Sequence, residues 1–268
     1  GHYRKANLPY WMHQNVSDDY MRFLKNELGE FADVNGSGVE NNSWITHPWA
    51  YEERLHPTNW VVDESIRFLE TRDRTRPFFL MTSFVRPHPP FDAPQTYFDL
   101  YRDMELRREA MAGYYACITH MDHQIGRLIT ALENDETYHD TVIVFCSDHG
   151  EMLFDHSLFR KVLPYEGSAR IPFIVHVGKN VDVPGGERVR GVSESTVELM
   201  DLMPTILEAC DLPVPEGVEG ASLMGELTGA APLNRAYLHG EHSGSREQSN
   251  QWIVTPHDKY IWFTRTGM

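Results

Sequence analysis

Val142-Ile143-Val144-Phe145-Cys146-Ser147-Asp148-His149-Gly150-Glu151 decides how this chain is read. The apolar run Val142 to Phe145 predicts a buried strand that stops at a carboxylate and an imidazole. Open α/β proteins place ligands at such strand ends. A short loop later come Arg160-Lys161 and then Pro164-Tyr165-Glu166-Gly167-Ser168-Ala169-Arg170-Ile171-Pro172, before a second apolar strand, Ile171 to Val177, returns to the interior. Hard-cation ligands and a fixed positive charge are therefore expected to converge on one anionic group.

Working outward, a long helix is predicted from about Met104 to Asn134, with Met111, Tyr114, Ile118, Met121, Ile125, Leu128 and Leu132 recurring at three and four residues. It feeds directly into the Val142 strand. Further upstream, Ser17-Asp18-Asp19 caps a short helix stopped by Gly29, and Val34 to Pro57 is a long irregular stretch. Thr58 or Asn59 then caps a helix to about Thr71, and Pro77 opens a strand from Phe78 to Phe84 that ends in Val85-Arg86-Pro87-His88-Pro89-Pro90-Phe91. Another helix starts near Asp201, with Pro204 in its first turn. This order predicts an α/β fold, a mostly parallel sheet flanked by helices. After Leu212 the text changes to Pro and Gly followed by short strands, Ala236 to His242, Gln251 to Thr255 and Lys259 to Thr264, the last two joined by a turn at Pro256-His257-Asp258. Residues 1–212 thus read as the α/β catalytic part and 213–268 as the start of a small antiparallel subdomain.

With 268 residues, 41% of them apolar and 12% aromatic, the chain can bury a real core. Its 24 Lys and Arg against 39 Asp and Glu leave a net charge of −15, and no stretch concentrates basic residues, which argues against a nucleic-acid partner. An acidic protein that handles an anionic substrate needs a metal ion and well-placed cations to overcome its own field locally. No apolar run approaches the ~20 residues of a membrane span. Cys117, Cys146 and Cys210 lie in apolar contexts and read as buried free thiols, which do not fix a compartment.

Asp148 and His149 are the foremost metal-ligand candidates, because a carboxylate oxygen and a ring nitrogen can both serve a divalent cation. Taken alone, such a pair is more often an aspartate capping the next turn beside a solvated histidine. Lys161 shifts that balance: held in a constrained loop, its ammonium is a point charge suited to a sulfuryl or phosphoryl oxygen, though pairing with Glu166 or Glu151 would explain it too. His88, fixed between prolines past a strand end, can hydrogen-bond an anion or protonate a leaving group, or simply stabilise its own loop.

These residues carry a family resemblance. Ser147-Asp148-His149-Gly150-Glu151-Met152-Leu153, Asp155-His156, Lys161 and Pro164 to Pro172 resemble the second half of a type I sulfatase of the alkaline phosphatase superfamily. The Pro-His-Pro-Pro-Phe ending at His88, Met121-Asp122 and Asp201 to Leu207 are similar to further segments of that family, and the likeness runs from about Asn59 to Thr264. It implies an alkaline phosphatase-like fold, here incomplete, and hydrolysis of a sulfate monoester at a Ca²⁺ site using a formylglycine. Asp148 and His149 would be metal ligands, and His88 and Lys161 would bind sulfate and assist the leaving oxygen. No Cys or Ser is followed by x-Pro-x-Arg, so the formylglycine nucleophile and the family's early Asp-Asp pair are not in these 268 residues. The natural start is therefore expected upstream of Gly1, the isolated chain is expected to be inactive, and Ca²⁺ is expected to bind weakly or not at all, since such cations want ~6 or more oxygens.

A phosphonate or phosphodiester hydrolase of the same superfamily and a non-catalytic binding remnant are the competing readings. His120 and His123 have helical metal-site spacing, but a scaffold role is favoured. Trp44, His47, Trp49, Tyr51, His56 and Trp60 form an aromatic band that suits either a pocket lining or a packed loop, and His239, Glu241 and His242 end a predicted strand.

Overall fold

The structure is a computed structural model, and it describes residues 18–40, 42–43, 45–103, 109–183, 188–243 and 249–264. The chain divides into two compact units, Gly1–Glu136 and Thr137–Met268.

The first unit is helical. Helix α1 (Asp19–Leu28) starts where the Asp18 carboxylate accepts the Met21 N–H at 2.7 Å, and it ends at Gly29, whose φ of 97° suits a residue without Cβ. Its buried Tyr20 and Leu24 pack on Leu55, and the Tyr20 hydroxyl donates to the Leu55 carbonyl at 2.8 Å. Helix α2 (Pro57–Thr71) is capped two residues before Thr58, the first of the two expected positions. His56 takes that place, its Nδ1 accepting the Thr58 N–H at 3.1 Å, because Pro57 has no N–H to lose and fits the first helical position. After the one-turn α3 (Gln95–Phe98), helix α4 (Glu109–Asn134) supplies the long amphipathic element. The predicted start at 104–108 lies outside the described residues. Arg127 to Asp63 at 2.7 Å and Arg72 to Asp135 at 2.7 Å tie α4 to α2 and its end.

Phe78 to Phe84 alternates half-buried and exposed residues, but it joins no sheet among the described residues, contrary to expectation. It lies along α2 through Ser65 and Thr82, whose hydroxyls are 3.1 Å apart, and through the Phe68 and Phe78 rings, leaving Phe79 and Met81 exposed. A strand is completed by a partner's ladder, which local sequence does not specify.

The second unit holds the sheets. Strand β1 (Val142–Cys146) pairs antiparallel with β2 (Phe173–Val177), Cys146 facing Phe173, with the one-turn α5 (Glu166–Ala169) between them. Helix α6 (Leu202–Ala209) follows a turn in which Asp201 takes both arms of Arg235, at 2.7 and 2.6 Å, and the Ala221 N–H at 2.8 Å. After α7 (Met224–Thr228), β3 (Leu238–His242), β4 (Asn250–Val254) and β5 (Lys259–Phe263) form an antiparallel sheet in that order. The β4–β5 turn is closed by Thr255 and Asp258, as its Pro-His-Asp text suggests.

The fold is α/β, but the mostly parallel sheet is not found among the described strands, which all pair antiparallel. Parallel pairing of β1 and β2 would usually run through a crossover helix, and the link between them holds only two short pieces, the 3-10 turn Asp155–Ser157 and the one-turn α5. Cysteine burial also needs correction: Cys117 is buried, Cys146 half-buried and Cys210 exposed, because Cys210 falls one residue beyond α6.

Candidate active site

Strand β1 delivers Ser147 to Gly150 to a turn that the surrounding backbone grips closely. The Gly150 N–H donates to the Ser168 carbonyl at 2.8 Å, and a Cβ at Gly150 would sit 2.2 Å from the Gly167 carbonyl oxygen. Only glycine allows that crossing. Buried Met152 lies against Gly167, and the Met152 N–H donates to the Arg160 carbonyl at 2.8 Å, so residues 152–160 form a closed loop on the strand end. Leu153, Phe154, His156, Ser157, Arg160 and Val162 all have left-handed φ there. Local pattern gave no sign of this conformation, which non-glycine residues adopt only when surrounding bonds hold them.

Within this frame His149 and Lys161 meet. His149 Nδ1 is 2.7 Å from the Gly150 carbonyl, which can only accept, so Nδ1 carries a proton and donates. In the neutral ring Nε2 is then an acceptor, and the Lys161 ammonium donates to it across 2.7 Å. The Asp148 carboxylate is 3.6 Å from the same Nε2 and its side chain is 83% exposed. Its other oxygen accepts the His149 N–H at 3.0 Å, so the capping role and the free acceptor edge coexist. The alternative partners of Lys161 are engaged elsewhere. Glu166 pairs with Lys259 at 2.9 Å, and Glu151 accepts the backbone N–H groups of Arg160 and Leu153. Burial raises the Glu151 pKa, and those backbone bonds offset part of the rise.

Asp148 Oδ and His149 Nε2 supply one oxygen and one nitrogen on the same side of the turn, which fits two positions of a divalent-cation shell. Among the described residues no group of three or more His, Cys, Asp and Glu side chains could hold a metal ion. The donor set therefore fits part of such a site.

His88 belongs to the first unit. Its N–H donates to the Val85 carbonyl at 3.0 Å, and its Nδ1 is 2.7 Å from the Pro89 carbonyl, so backbone and ring are both tied to the loop that carries them. Sequence reasoning missed what stands behind it. Arg86 and Asp92, both buried, form a two-armed ion pair with Nε to Oδ1 at 2.5 Å and Nη2 to Oδ2 at 2.7 Å. His56 Nε2 faces Asp92 Oδ1 at 3.8 Å. An Arg and an Asp bracketing a proline-rich turn were the available signal.

The remaining candidates are structural. His120 Nε2 lies 2.6 Å from Asn59 Oδ1 with its ring against His56 and Tyr97, and His123 Nδ1 is 3.3 Å from the Tyr97 hydroxyl. Trp49 is buried edge-on to His56 and Tyr51, and Trp60 packs on Tyr20, so the described part of the aromatic band is a packed loop; Trp44 lies outside the described residues. His239 and Glu241 project from an exposed sheet face. No helix of the described residues is long and apolar enough to cross a membrane.

Comparison with known proteins settles the family. The sulfatase family model matches residues 4–212. An arylsulfatase of Clostridium perfringens is 42% identical over 282 residues, spanning 93% of this chain and 58% of that one. The chain belongs to the sulfatase family. The multifunctional alkaline phosphatase superfamily protein PehA of Trinickia caryophylli is 29% identical to this sulfatase-family chain over 242 residues, covering 72% of it and 46% of PehA. The fold of a phosphonate monoester hydrolase of Agrobacterium radiobacter superposes with a TM-score of 0.74 at 22% identity, over 96% of this chain and 62% of the other. The chain thus has the alkaline phosphatase-like sulfatase fold, and it spans about half the length of the curated relatives it matches.

Proposed function

We propose that this chain is part of a sulfuric ester hydrolase and that Asp148, His149, Lys161 and His88 belong to its active site. The observation that carries the reading is the 2.7 Å contact of Lys161 Nζ with His149 Nε2 beside the exposed Asp148 carboxylate, in a family whose chemistry is sulfate ester cleavage. Asp148 and His149 would supply two ligands of a divalent cation, for which Ca²⁺ is the expected ion, and such a cation would offer positive charge to the non-bridging oxygens. Lys161, now on His149 Nε2, is placed to donate to a sulfuryl oxygen, where a preformed positive charge favours the transition state over the ground state. His88 donates from Nε2 to the ester when protonated, its ring fixed by the Pro89 carbonyl. The nucleophile, a formylglycine by family resemblance, is supplied by sequence outside these residues. So are the strands that would extend β1 and β2 into a mostly parallel sheet, with 213–268 beginning a separate antiparallel subdomain. The substrate is an aryl or carbohydrate sulfate; nucleic acid and membrane have no part in the reading.

The protein expressed from its whole gene should release sulfate from 4-nitrophenyl sulfate in the presence of Ca²⁺. Lys161→Ala should lower kcat/KM by about 10²–10³. The 268 residues alone should show no turnover, and turnover by them would contradict the assignment of the nucleophile elsewhere. A second reading, phosphonate or phosphodiester hydrolysis, is supported by the PehA likeness and by the suitability of the Lys161 point charge for a phosphoryl oxygen. It would prevail if a phosphonate monoester were cleaved and the aryl sulfate were not.

A further inference from the structure

Lys161 stands between two left-handed residues, Arg160 and Val162, each with φ of 73°. Neither side chain favours that conformation, so surrounding bonds must hold it. Arg160 is held at both of its backbone groups. Its carbonyl accepts the Met152 N–H at 2.8 Å, and its N–H donates to the Glu151 carboxylate. In a regular antiparallel pair of residues that N–H would return to the Met152 carbonyl. Here the Asp155 N–H takes the Met152 carbonyl at 2.7 Å, inside the loop. The Glu151 side chain therefore stands in for a backbone acceptor that the loop has turned to its own interior.

The base from which this carboxylate reaches is fixed. The Gly150 N–H donates to the Ser168 carbonyl at 2.8 Å, Met152 is 1% exposed, and a Cβ at Gly167 would stand 3.3 Å from the Glu151 carbonyl oxygen. The carboxylate oxygen that takes the Arg160 N–H also takes that of Leu153 at 3.5 Å, so one side-chain atom ties the two ends of the loop. A charged acceptor makes a stronger bond than a neutral carbonyl, which suits a bond that must keep Arg160 left-handed. His149 lies two residues before Glu151 and Lys161 one residue after Arg160, so closing the loop at its base brings both to one mouth. Lys161 Nζ meets His149 Nε2 there at 2.7 Å.

We propose that Glu151 is a positioning residue for Lys161: its carboxylate replaces the Met152 carbonyl as acceptor for the Arg160 N–H, closes the loop and sets the Lys161 ammonium beside His149. This rests on the reading of Lys161 as a sulfate-binding group. Glu151 acts through the backbone and touches no substrate.

The test compares kcat/KM for 4-nitrophenyl sulfate, with Ca²⁺ present, among variants of the protein expressed from its whole gene. Glu151→Ala should lower it by about 10–10²-fold, the scale of a small displacement of a group that acts on the transition state. Glu151→Gln keeps an acceptor oxygen at full reach and should recover to within about threefold of the parent. Glu151→Asp keeps the charge, withdraws it by one methylene and should stay as low as Glu151→Ala. Glu151→Ala added to Lys161→Ala should fall no more than about threefold below Lys161→Ala alone, because residues that act as one unit do not add. A loss through general unfolding would instead multiply. If Glu151→Ala does not fold, Glu151→Asp takes its place in the same pairing. Parental activity in both shortened variants, recovery by Asp and not by Gln, or losses that multiply would overturn the proposal. If Lys161→Ala keeps the parent's kcat/KM, or the parent releases no sulfate, the reading of the site fails instead. A crystal structure of Glu151→Asp then decides the positioning: Lys161 still on His149 Nε2 overturns it, and Lys161 displaced sustains it.

Discussion

The two loops that carry the proposed site residues are built on opposite plans. The His88 loop is tied by buried charge: Arg86, Asp92, Phe91 and Ala93 are all withdrawn from water, and the ion pair closes the turn from within. The Lys161 loop has little core beyond Met152. It is held by backbone bonds between residues 150–160 and 168 and by glycines that let two backbones touch, while Phe154, Leu158 and Val162 remain exposed. A buried pair is intolerant of losing one member, since the survivor is left charged in the interior. A backbone-bonded loop tolerates most side-chain changes but fails where a Cβ meets a carbonyl.

The contrast is open to direct test. The largest effect should come from Asp92→Ala, which strands Arg86 and should cost about 3–5 kcal/mol in urea unfolding. A loss under about 1 kcal/mol would show that water reaches the pair. Next, Gly150→Ala forces a Cβ toward the Gly167 carbonyl and should cost about 3 kcal/mol, at the upper end of overpacking, with loss of the His149–Lys161 contact in a crystal structure.

Acid should weaken the first plan more than the second. Burial lowers the pKa of His56, and burial together with the neighbouring His56 brings His120 down to about 2. The unfolded chain therefore binds protons that the folded chain refuses. This stability is complete above the unfolded value near 6.5 and falls as pH drops toward the folded value, with a slope of up to about 1.4 kcal/mol per pH unit for each group. Burial alone would raise the Asp92 carboxyl, yet the Arg86 charge and its two hydrogen bonds, with His56 Nε2 facing the carboxylate at 3.8 Å, bring it down to about 2. Its share is likewise lost as pH falls from about 4. Melting temperatures between pH 7 and pH 4 should fall less in His120→Gln than in the parent; equal slopes would remove His120 from this account. The smallest effect should be a gain. Ser157 is exposed with φ of 60°, and Ser157→Gly should stabilise by about 0.5 kcal/mol, the relief of left-handed backbone less glycine's entropy.

Much of this was legible in the chain itself. The three- and four-residue spacing of Met111 to Leu132 gave α4, the Asp18 and Gly29 signals gave the ends of α1, and Pro256 to Asp258 gave the β4–β5 turn. The abrupt change from Phe145 to Asp148 gave the candidate site at the end of β1. Partners were not legible. Lys161 had two nearby glutamates in sequence and took His149, because Glu151 is turned toward backbone N–H groups and Glu166 toward Lys259, ninety-three residues away.

The sequence by itself determined the types of the main elements, the Asp148-His149 turn, and the His88 and Lys161 candidates, because these depend on side-chain period and short-range backbone chemistry. Tertiary structure decided that β2 returns antiparallel to β1, that Lys161 rests on a histidine whose proton is fixed by Gly150, and that Arg86 reaches Asp92 behind His88. Those outcomes depend on which groups compete for one buried position, and that competition is settled only when the chain is packed.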